Sequence, residues 1–209
     1  MAILDLNLMA NLFSKLDRSK FNKNLVFRFS IPVWIAKSGL EQFSTFRFEY
    51  GHHAVSKDDA KPFFGRVLYL EEKGINEPIP VVVQNLIDFL RFEITQTIDS
   101  NSKFLSIHRI AINGQTPNQS PEIHIDNGAD PTAWTAIYYA NYSDGDTIFY
   151  QSLGNKIECY RSLFEFGTVV LFPASFCHKA DSTLSSWRIT AAITFFWDCK
   201  LNNLIRQDL

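Results

Sequence analysis

Two potential metal ligands lie two residues apart in the segment EIHIDNG, at residues 122–128. His124 and Asp126 alternate there with apolar residues, a pattern typical of a strand. Because alternate side chains of a strand share a face, the imidazole and the carboxylate would lie about 6 to 7 Å apart along the chain, close enough to bind one metal ion. The segment therefore indicates two ligands of a metal site and leaves the third to be found elsewhere.

His178 is the candidate for the third ligand. It follows the strand-like run FGTVVLFPASFC and precedes the last strong strand, so a jelly roll would return it beside His124 and Asp126. Two imidazoles and one carboxylate on one side of an ion form the facial triad of non-haem Fe(II) oxygenases, which leaves three coordination positions open. The sequence thus predicts a redox-metal site.

A separate pattern predicts an anchor for an organic acid. Arg188 opens the run RITAAITFFW, and Thr190 shares its strand face. A guanidinium beside a hydroxyl suits bidentate binding of a carboxylate. In the run TAIYYAN, alternation places Tyr139 on one face with Thr135 and Ile137, so its phenol is a further donor for that carboxylate.

The elements that must position these residues are mostly strands. From residue 104 onward the chain consists of short β-rich runs, separated by Gly, Asn, Asp, Pro and Ser, which suggest a sandwich or a jelly roll. Before it, residues 2–17 look helical, and residues 81–98 carry apolar residues at helical spacing. LVFRFSIPVWI and FSTFRFEY look like strands, with the turn-prone AKSGLEQ between them.

The composition is that of one folded domain. The 209 residues are 46% hydrophobic and 14% aromatic, and the formal net charge of −2 gives no basic field for nucleic acid. No apolar stretch reaches the roughly 18 residues of a membrane span, and Asp5 interrupts the place of a signal-peptide core. Three cysteines without a C-x-x-C pair fit a reducing interior. We expect a soluble cytoplasmic protein with neither nucleic acid nor membrane as a partner.

Four elements, in order, resemble the Fe(II)- and 2-oxoglutarate-dependent dioxygenases, closest to their prolyl 4-hydroxylase-like branch. They are H-x-D as His124-Ile125-Asp126, then TAIYYANYSDGDTIFY, then FEFGTVVLFPASFCHKA, and finally Arg188. The resemblance covers residues 104–198. The chain departs from that branch at the middle strand, where a run ending in Leu-Asn and then Gly-Gly-Glu-Thr is replaced by YYAN and DGDT.

The resemblance implies a double-stranded β-helix, a jelly roll whose major sheet carries N-terminal helices. Its iron ligands carry over to His124, Asp126 and His178, its anchor for the distal carboxylate of 2-oxoglutarate to Arg188, and the tyrosine partner of that carboxylate to Tyr139. Thr190 matches a hydroxyl found two residues after the arginine in some members.

The resemblance also divides the chain and names its small molecules. It implies one dioxygenase domain over residues 1–209, with a helical and irregular part at 1–103, the jelly-roll core at 104–198 and a tail at 199–209. The cofactor would be Fe(II), with 2-oxoglutarate and O2 as cosubstrates and ascorbate to keep the iron reduced. The oligomeric state is left open.

Three further places in the sequence carry candidate cavity or substrate-contacting residues. Where the family often has a cosubstrate-contacting tyrosine, the chain has His108 and Ile110, and we expect His108 in the cavity wall. His52 and His53 lie in a polar turn that favours a solvated loop over a substrate loop. Trp134 either meets the substrate or caps the core.

The expected reaction is hydroxylation of an unactivated carbon, with 2-oxoglutarate and O2 converted to succinate and CO2. Asp126 favours hydroxylation, because halogenating relatives have a small residue there. The substrate is either a peptidyl prolyl residue or a free amino acid or other small metabolite. The alternatives are a non-catalytic jelly-roll binding module and a nucleic-acid demethylase, although demethylases carry a second arginine where this chain has Thr194.

Overall fold

The computed structural model describes residues 21–52, 63–128, 130–183 and 185–207. Within these ranges the strands are β1 (Phe27–Ser30), β2 (Glu49–His52), β3 (Phe63–Leu70), β4 (Ile75–Asn76), β5 (Lys103–Gln115), β6 (Ala133–Tyr139), β7 (Thr147–Tyr150), β8 (Glu158–Ser162), β9 (Thr168–Pro173), β10 (His178–Ala180) and β11 (Arg188–Asp198). The helices are α1 (Val33–Ser44), α2 (Val81–Glu93) and α3 (Asn202–Gln207). None of these helices is long and apolar enough to cross a membrane. The helix predicted over residues 2–17 lies outside the described residues.

The strands form two antiparallel sheets. The larger has the order β1-β9-β6-β11-β5-β3-β2, with β4 paired to β3, and the smaller has the order β10-β7-β8. Strands that are neighbours in space are mostly distant in the sequence, as expected for a jelly roll. The prediction of a mostly β fold built as a jelly roll is therefore confirmed.

The central strand β11 divides its side chains between two environments. Ile193 and Phe195 are buried in the hydrophobic core, whereas Arg188 and Thr190 line a cavity on the opposite face. β5 pairs with β11 along its whole length, from Arg188↔Gln115 to Asp198↔Lys103. Because side chains alternate along both strands, this register fixes which residues of each strand face the cavity.

Helix α2 covers the core face of the larger sheet. Val82, Leu86 and Leu90, spaced by four residues, are almost completely buried in the same core as Ile110 of β5. The apolar stripe of α2 is thus the face that packs on the sheet. The predicted helix at residues 81–98 is confirmed, with its last five residues, Ile94–Ile98, forming a π-type turn.

The segment AKSGLEQ, predicted as a turn, lies instead within α1. Ile35, Gly39 and Phe43 are four residues apart and are all buried. Gly39 permits a close approach, because a Cβ there would lie 2.6 Å from the hydroxyl of Tyr138 on β6. Packing against the sheet, which local turn preferences do not encode, decides the conformation here. The neighbouring run FSTFRFEY accordingly contributes only its last two residues to β2.

The part at residues 1–103 also contains strands that the sequence pattern did not predict as a set. β1 pairs with β9 at one side of the larger sheet, and β3 pairs with β5 at the other. The burial of β3 follows no strict alternation, which explains why its pattern was not informative. The N-terminal part therefore widens the sheet as well as covering it.

The side-chain amide of Asn202 connects the C-terminal helix α3 to the core. The indole N–H of Trp134 donates to Oδ1 of Asn202 at 3.1 Å, and Nδ2 of Asn202 donates to the carbonyl oxygen of Trp197 at 2.7 Å. Trp134 and Asn202 are both buried. Of the two roles considered for Trp134, the structure therefore supports the cap on the core.

Replacing Asn202 by Ala should destabilise the fold, because the Trp134 N–H would remain buried without this acceptor. We expect a loss of about 1 to 3 kcal/mol in the free energy of unfolding, measured by urea denaturation. Asn203→Ala is the matched control, since Asn203 is exposed on the same helix. Equal effects of the two substitutions would contradict the anchoring role of Asn202.

Candidate metal centre and its cavity

A backbone bridge joins the two histidines of the site. The amide N–H of His124 donates to the carbonyl oxygen of His178, and the reverse bond is also made, both at 2.9 Å. The bridge sets the two imidazole rings 4.5 Å apart between centroids. His178 opens β10, whereas the expected strand at residues 122–126 is reduced to this single bridge. That one pairing is sufficient to bring the two imidazoles together.

Asp126 completes the cluster from a turn. Its amide N–H donates to the carbonyl oxygen of Ala174 at 3.0 Å, just beyond the end of β9. Oδ1 of Asp126 lies 3.8 Å from Nε2 of His124, and Oδ2 lies 3.7 Å from Nε2 of His178. The ligand atoms of the three residues all lie within 4.8 Å of one another. The structure thus brings the three predicted ligands together around one point.

Hydrogen bonds fix which ring nitrogens face that point. Nδ1 of His124 lies 3.0 Å from the carbonyl oxygen of Glu122, and Nδ1 of His178 lies 2.9 Å from that of Phe176. A carbonyl oxygen can only accept, so each Nδ1 carries the hydrogen. In the neutral ring, each Nε2 therefore presents its lone pair to the site.

The electrostatics keep Asp126 and His178 in their metal-binding forms. Burial opposes ionisation of Asp126, but His178, His124 and Arg109, with a hydrogen bond from Thr135, outweigh it and hold the pKa of the carboxyl below its ordinary value. Burial and the neighbouring His124 lower the pKa of His178 to about 4. At neutral pH the site therefore offers a carboxylate and a neutral buried imidazole, as metal binding requires.

The donor set fits a divalent transition metal. Two imidazole nitrogens and one carboxylate oxygen on one side of an ion suit Fe(II) and leave positions open towards the cavity. Oγ1 of Thr135 donates to Oδ2 of Asp126 at 2.7 Å. Such outer-shell bonds orient a ligating carboxylate.

Arg188 is buried at another part of the same cavity, with 4% of its surface exposed. Its guanidinium donates from Nε to the carbonyl oxygen of Gly145 at 2.7 Å, from Nη1 to Oε1 of Gln115 at 3.1 Å, and from Nη2 to Oγ1 of Thr147 at 2.9 Å. These bonds use three of its five N–H groups. One N–H on each terminal nitrogen remains, which is the arrangement that a carboxylate accepts in bidentate fashion.

The charge of Arg188 has no ion-pair partner among the described residues. Burial lowers the pKa of Arg188 to about 10, with Tyr139, Asp146 and Asp181 opposing the shift, so the group stays cationic at neutral pH. Asp146 and Asp181 are themselves paired with Arg161. A buried cation without a counter-ion is costly, which makes an anionic ligand the natural partner for Arg188.

Tyr139 is linked to this anchor through Thr147. Its hydroxyl donates to Oγ1 of Thr147 at 2.9 Å, and it is not among the described residues that line the cavity. Thr147 thus accepts from both Tyr139 and Arg188, which uses its two lone pairs and leaves its own O–H to donate into the cavity. Thr147 was missed on the sequence, although it is the Thr of the DGDT segment.

β5 contributes Arg109, Asn113 and Gln115 to the cavity lining. Ile110 is fully buried in the hydrophobic core. His108 lies at an irregularity in the pairing of β5 with β11 and contacts the ring of Phe196 at 5.6 Å between centroids, and it is not among the described residues that line the cavity. Asn113 faces the cavity instead, paired in register with the predicted Thr190, which also lines it.

Arg109 and His52 also line the cavity and were not predicted to do so. Arg109 lies an even number of residues from Asn113 and Gln115, so strand alternation was the signal that could have revealed it. His52, taken for a solvated loop residue, ends β2, and its Nε2 accepts from Nη2 of Arg109 at 3.1 Å. His53 lies outside the described residues.

No protein-family model and no curated protein sequence matches the chain, but solved structures do. A prolyl hydroxylase of Trichoplax adhaerens, in complex with a hypoxia-inducible factor peptide fragment, aligns over 99% of this chain and 97% of its own, with a TM-score of 0.58 and 14% identity. A prolyl-4-hydroxylase of Pseudomonas putida aligns over 90% and 98%, with a TM-score of 0.56 and 13% identity. The chain has the prolyl hydroxylase fold.

The prolyl hydroxylase fold extends beyond the jelly-roll core, since these alignments include most of the N-terminal part. HygX of Streptomyces hygroscopicus, with nickel and 2-oxoglutarate bound, aligns over 93% of this chain and 87% of its own, with a TM-score of 0.54 and 12% identity. The likeness in fold therefore includes described strands and helices before residue 103 as well as the jelly-roll core.

Replacing His178 by Ala should abolish stable metal binding, because a carboxylate and one imidazole would remain to hold the ion. Loss of outer-shell partners alone costs roughly 10-fold to 100-fold in metal affinity, so we expect a larger loss here, measured by titrating the metal-free protein with Fe(II) under anaerobic conditions. His108→Ala is the matched control, because it removes an imidazole of β5 that is not part of the cluster. Wild-type stoichiometry in the His178 variant would refute the ligand assignment.

Proposed function

We propose that this protein is an Fe(II)- and 2-oxoglutarate-dependent dioxygenase that hydroxylates an unactivated C–H bond. The observation that carries the proposal is one cavity that contains both the cluster of His124, Asp126 and His178 and the buried cation of Arg188. A metal triad and a separate carboxylate anchor correspond to the two ends of 2-oxoglutarate. The fold shared with HygX, which binds this acid, supports the same function.

The protein groups have distinct roles in this proposal. His124, Asp126 and His178 would hold the iron, and Arg188 with the Thr147 hydroxyl would bind the distal carboxylate. When bound, iron and 2-oxoglutarate supply the oxidation, in which O2 is consumed, succinate and CO2 are released and one oxygen atom reaches the substrate.

The remaining cavity residues would orient the cosubstrate and exclude water. Gln115 and the carbonyl oxygen of Gly145 hold the guanidinium of Arg188 in one orientation. Ile137 and Ala192 contribute apolar wall between the charged groups. A fixed guanidinium in a largely dry site binds a carboxylate without first reorganising, which increases both affinity and positional accuracy.

The proposal takes the prime substrate to be either a peptidyl prolyl residue or a small molecule. The peptide bound to the Trichoplax adhaerens relative supports the first possibility. SnoN, a non-haem α-ketoglutarate-dependent epimerase from nogalamycin biosynthesis, has the same fold, with a TM-score of 0.57 at 12% identity.

Hydroxylation is the proposed reaction because Asp126 is present as a third ligand. None of the three cysteines forms a disulfide bond, which supports a cytoplasmic location.

Arg188 variants test the cosubstrate site without knowledge of the substrate. Arg188→Lys keeps the charge but loses the planar fork, and Arg188→Ala loses both, so affinity for 2-oxoglutarate should fall in that order. For the Ala variant we expect a loss of about 2 to 4 kcal/mol, roughly 30-fold to a thousandfold. The measurement is anaerobic titration of the Fe(II) protein with 2-oxoglutarate, followed by its visible charge-transfer band.

Two further measurements accompany the Arg188 titrations. Tyr139→Phe should cost less, because it removes only the donor behind Thr147. Succinate release in the presence of Fe(II), ascorbate, 2-oxoglutarate and O2 tests turnover directly. An unchanged titration midpoint in Arg188→Ala would refute the carboxylate anchor, and absence of succinate would favour a non-catalytic binding module.

Gly145→Ala should weaken 2-oxoglutarate binding while leaving the chemical identity of the iron ligands and of Arg188 unchanged. A Cβ at Gly145 would lie 2.9 Å from Cδ of Arg188 and 2.6 Å from Cγ2 of Thr183, so the arginine must shift. We expect a loss of about tenfold in affinity, corresponding to one weakened charge-assisted hydrogen bond. Gly154→Ala is the matched control, since nothing lies within 4 Å of a Cβ there. Equal affinity in the two variants would contradict the positioning role of Gly145.

A further inference from the structure

Arg109 is a second cation in the cavity, and its role described so far is only to help lower the pKa of Asp126. Its hydrogen bond among the described residues goes to Nε2 of His52 at 3.1 Å. Burial lowers the pKa of Arg109, and the charge of Asp126 opposes the shift without forming an ion pair with it. A guanidinium has five N–H groups. Arg109 therefore retains donors for a ligand.

A row of paired residues places Arg109 near the metal centre. Thr194 of β11 pairs with Arg109 on one side and with Thr135 of β6 on the other. Arg109 and Thr135 lie two strands apart across the sheet, which places their backbones about 10 Å from each other. Thr135 in turn donates to the ligand Asp126. The flexible arginine side chain can cover much of that distance, so its charge belongs to the metal end of the cavity.

Arg109 and Arg188 belong to different parts of the cavity. Arg188 pairs with Gln115, which lies six residues beyond Arg109 on β5. At about 3.3 Å per residue, that separates the two positions by roughly 20 Å of strand. One molecule of 2-oxoglutarate that binds iron and Arg188 would therefore leave Arg109 to a second ligand.

The charge of the cavity-lining residues favours a second anion. Among the described lining residues, Arg109 and Arg188 are cationic and Asp126 is anionic, which leaves one positive charge when the histidines are neutral. Fe(II) would raise this excess to three, and the dianion of 2-oxoglutarate would lower it to one. A ligand with a single carboxylate would neutralise the remainder in a setting where unbalanced charge is costly.

We propose that Arg109 is the anchor for a carboxylate of the prime substrate, and that this substrate is a small organic acid that enters as a monoanion. The inference rests on the proposed function for the identity of the reaction, but not for the anchor itself. His52 limits the positions of the guanidinium, and Asn113, whose Oδ1 is buried without a partner among the described residues, offers an acceptor to a ligand donor.

The position of the anchor favours a small acid over a peptidyl residue. An acid bound by a guanidinium close to the metal must carry its reacting carbon only a few bonds from its carboxylate. A prolyl residue within a peptide has no carboxylate of its own. A zwitterionic amino acid would add a positive charge to the pocket, so its affinity should be lower than that of the corresponding acid without the ammonium group.

The test uses a defined set of probes, comprising straight-chain and cyclic monocarboxylates of three to six carbons, their neutral amides, the matching free amino acids and an uncharged prolyl peptide. Each is titrated into the anaerobic Fe(II) protein saturated with 2-oxoglutarate, so that the Arg188 site is filled. Binding is measured by calorimetry and by the shift in melting temperature. We expect acids of the set to bind the wild type and their amides to bind at least about tenfold more weakly.

Variants of Arg109 test whether the acids bind through this residue. Arg109→Gln should lower the affinity for the acids by about tenfold to a hundredfold, and Arg109→Lys should lower it less. Arg66→Gln is the matched control, since Arg66 lies on the neighbouring β3 and pairs with Glu77 at 2.7 Å outside the cavity. Affinities for Fe(II) and 2-oxoglutarate should stay within about threefold of wild type in all three variants, because none of them removes a ligand or Arg188.

The alternative roles of Arg109 give different results. The proposal is overturned if no acid binds the wild type better than its amide, if Arg109→Gln leaves acid binding unchanged, or if the prolyl peptide alone binds. Unfolding of both Arg109 variants, or loss of metal affinity in them, would show a structural role and would overturn it as well.

The outcomes also separate the anchor from the enzyme. Acid binding that depends on Arg109 in a protein that fails to bind 2-oxoglutarate would refute the proposed function and keep the anchor. The reverse result would refute the anchor alone.

Discussion

The two-residue alternation of the central strands is the constraint on which the rest of the molecule depends. Where β11, β5 and β6 lie between the hydrophobic core and the cavity, successive residues must suit one or the other in turn. Ile193 and Phe195 serve the first, whereas Arg188 and Thr190 serve the second. A slip of one residue would place a guanidinium in the core and a phenyl ring in the site. The fold and the Arg188 end of the cavity are therefore encoded by the same periodicity.

The metal cluster joins the two sheets at a place where neither is regular. His124 is bridged to His178, which opens β10 of the smaller sheet, while Asp126 is bonded to Ala174, just beyond β9 of the larger sheet. A bound ion would therefore connect both sheets through one short segment. Such an irregular segment can aim two of its side chains, His124 and Asp126, at the point that His178 of β10 also reaches. Ion binding and the relative position of the sheets should accordingly be coupled.

The sequence predicts an element or a site residue correctly where the pattern is local, and it fails where packing between elements decides the conformation. The later strands, helix α2 and the three clustered ligands followed from alternation, helical spacing and residue chemistry. Helix α1 did not, because the burial of Gly39 against Tyr138 outweighs the turn preference of its segment. His108 was expected in the cavity wall but is not among the described lining residues, since the sequence does not reveal the irregular pairing of β5 with β11 at this position. Arg109 and His52 were missed because they approach the site from strands that no motif identifies.

The two cavity arginines show how stability and ligand selection are linked in this fold. Each is desolvated, and neither has a carboxylate partner among the described residues. A protein selected for stability alone would pair or replace such groups. Retaining them leaves a site whose electrostatic cost is relieved only when anions enter, so ligands of the right charge should stabilise the folded state by mass action. Neutral analogues of the same shape would leave that cost in place, because they provide no counter-charge. The charge distribution therefore discriminates among ligands before any contact with the reacting carbon is made, and it does so with side chains that the rigid central strands hold in position.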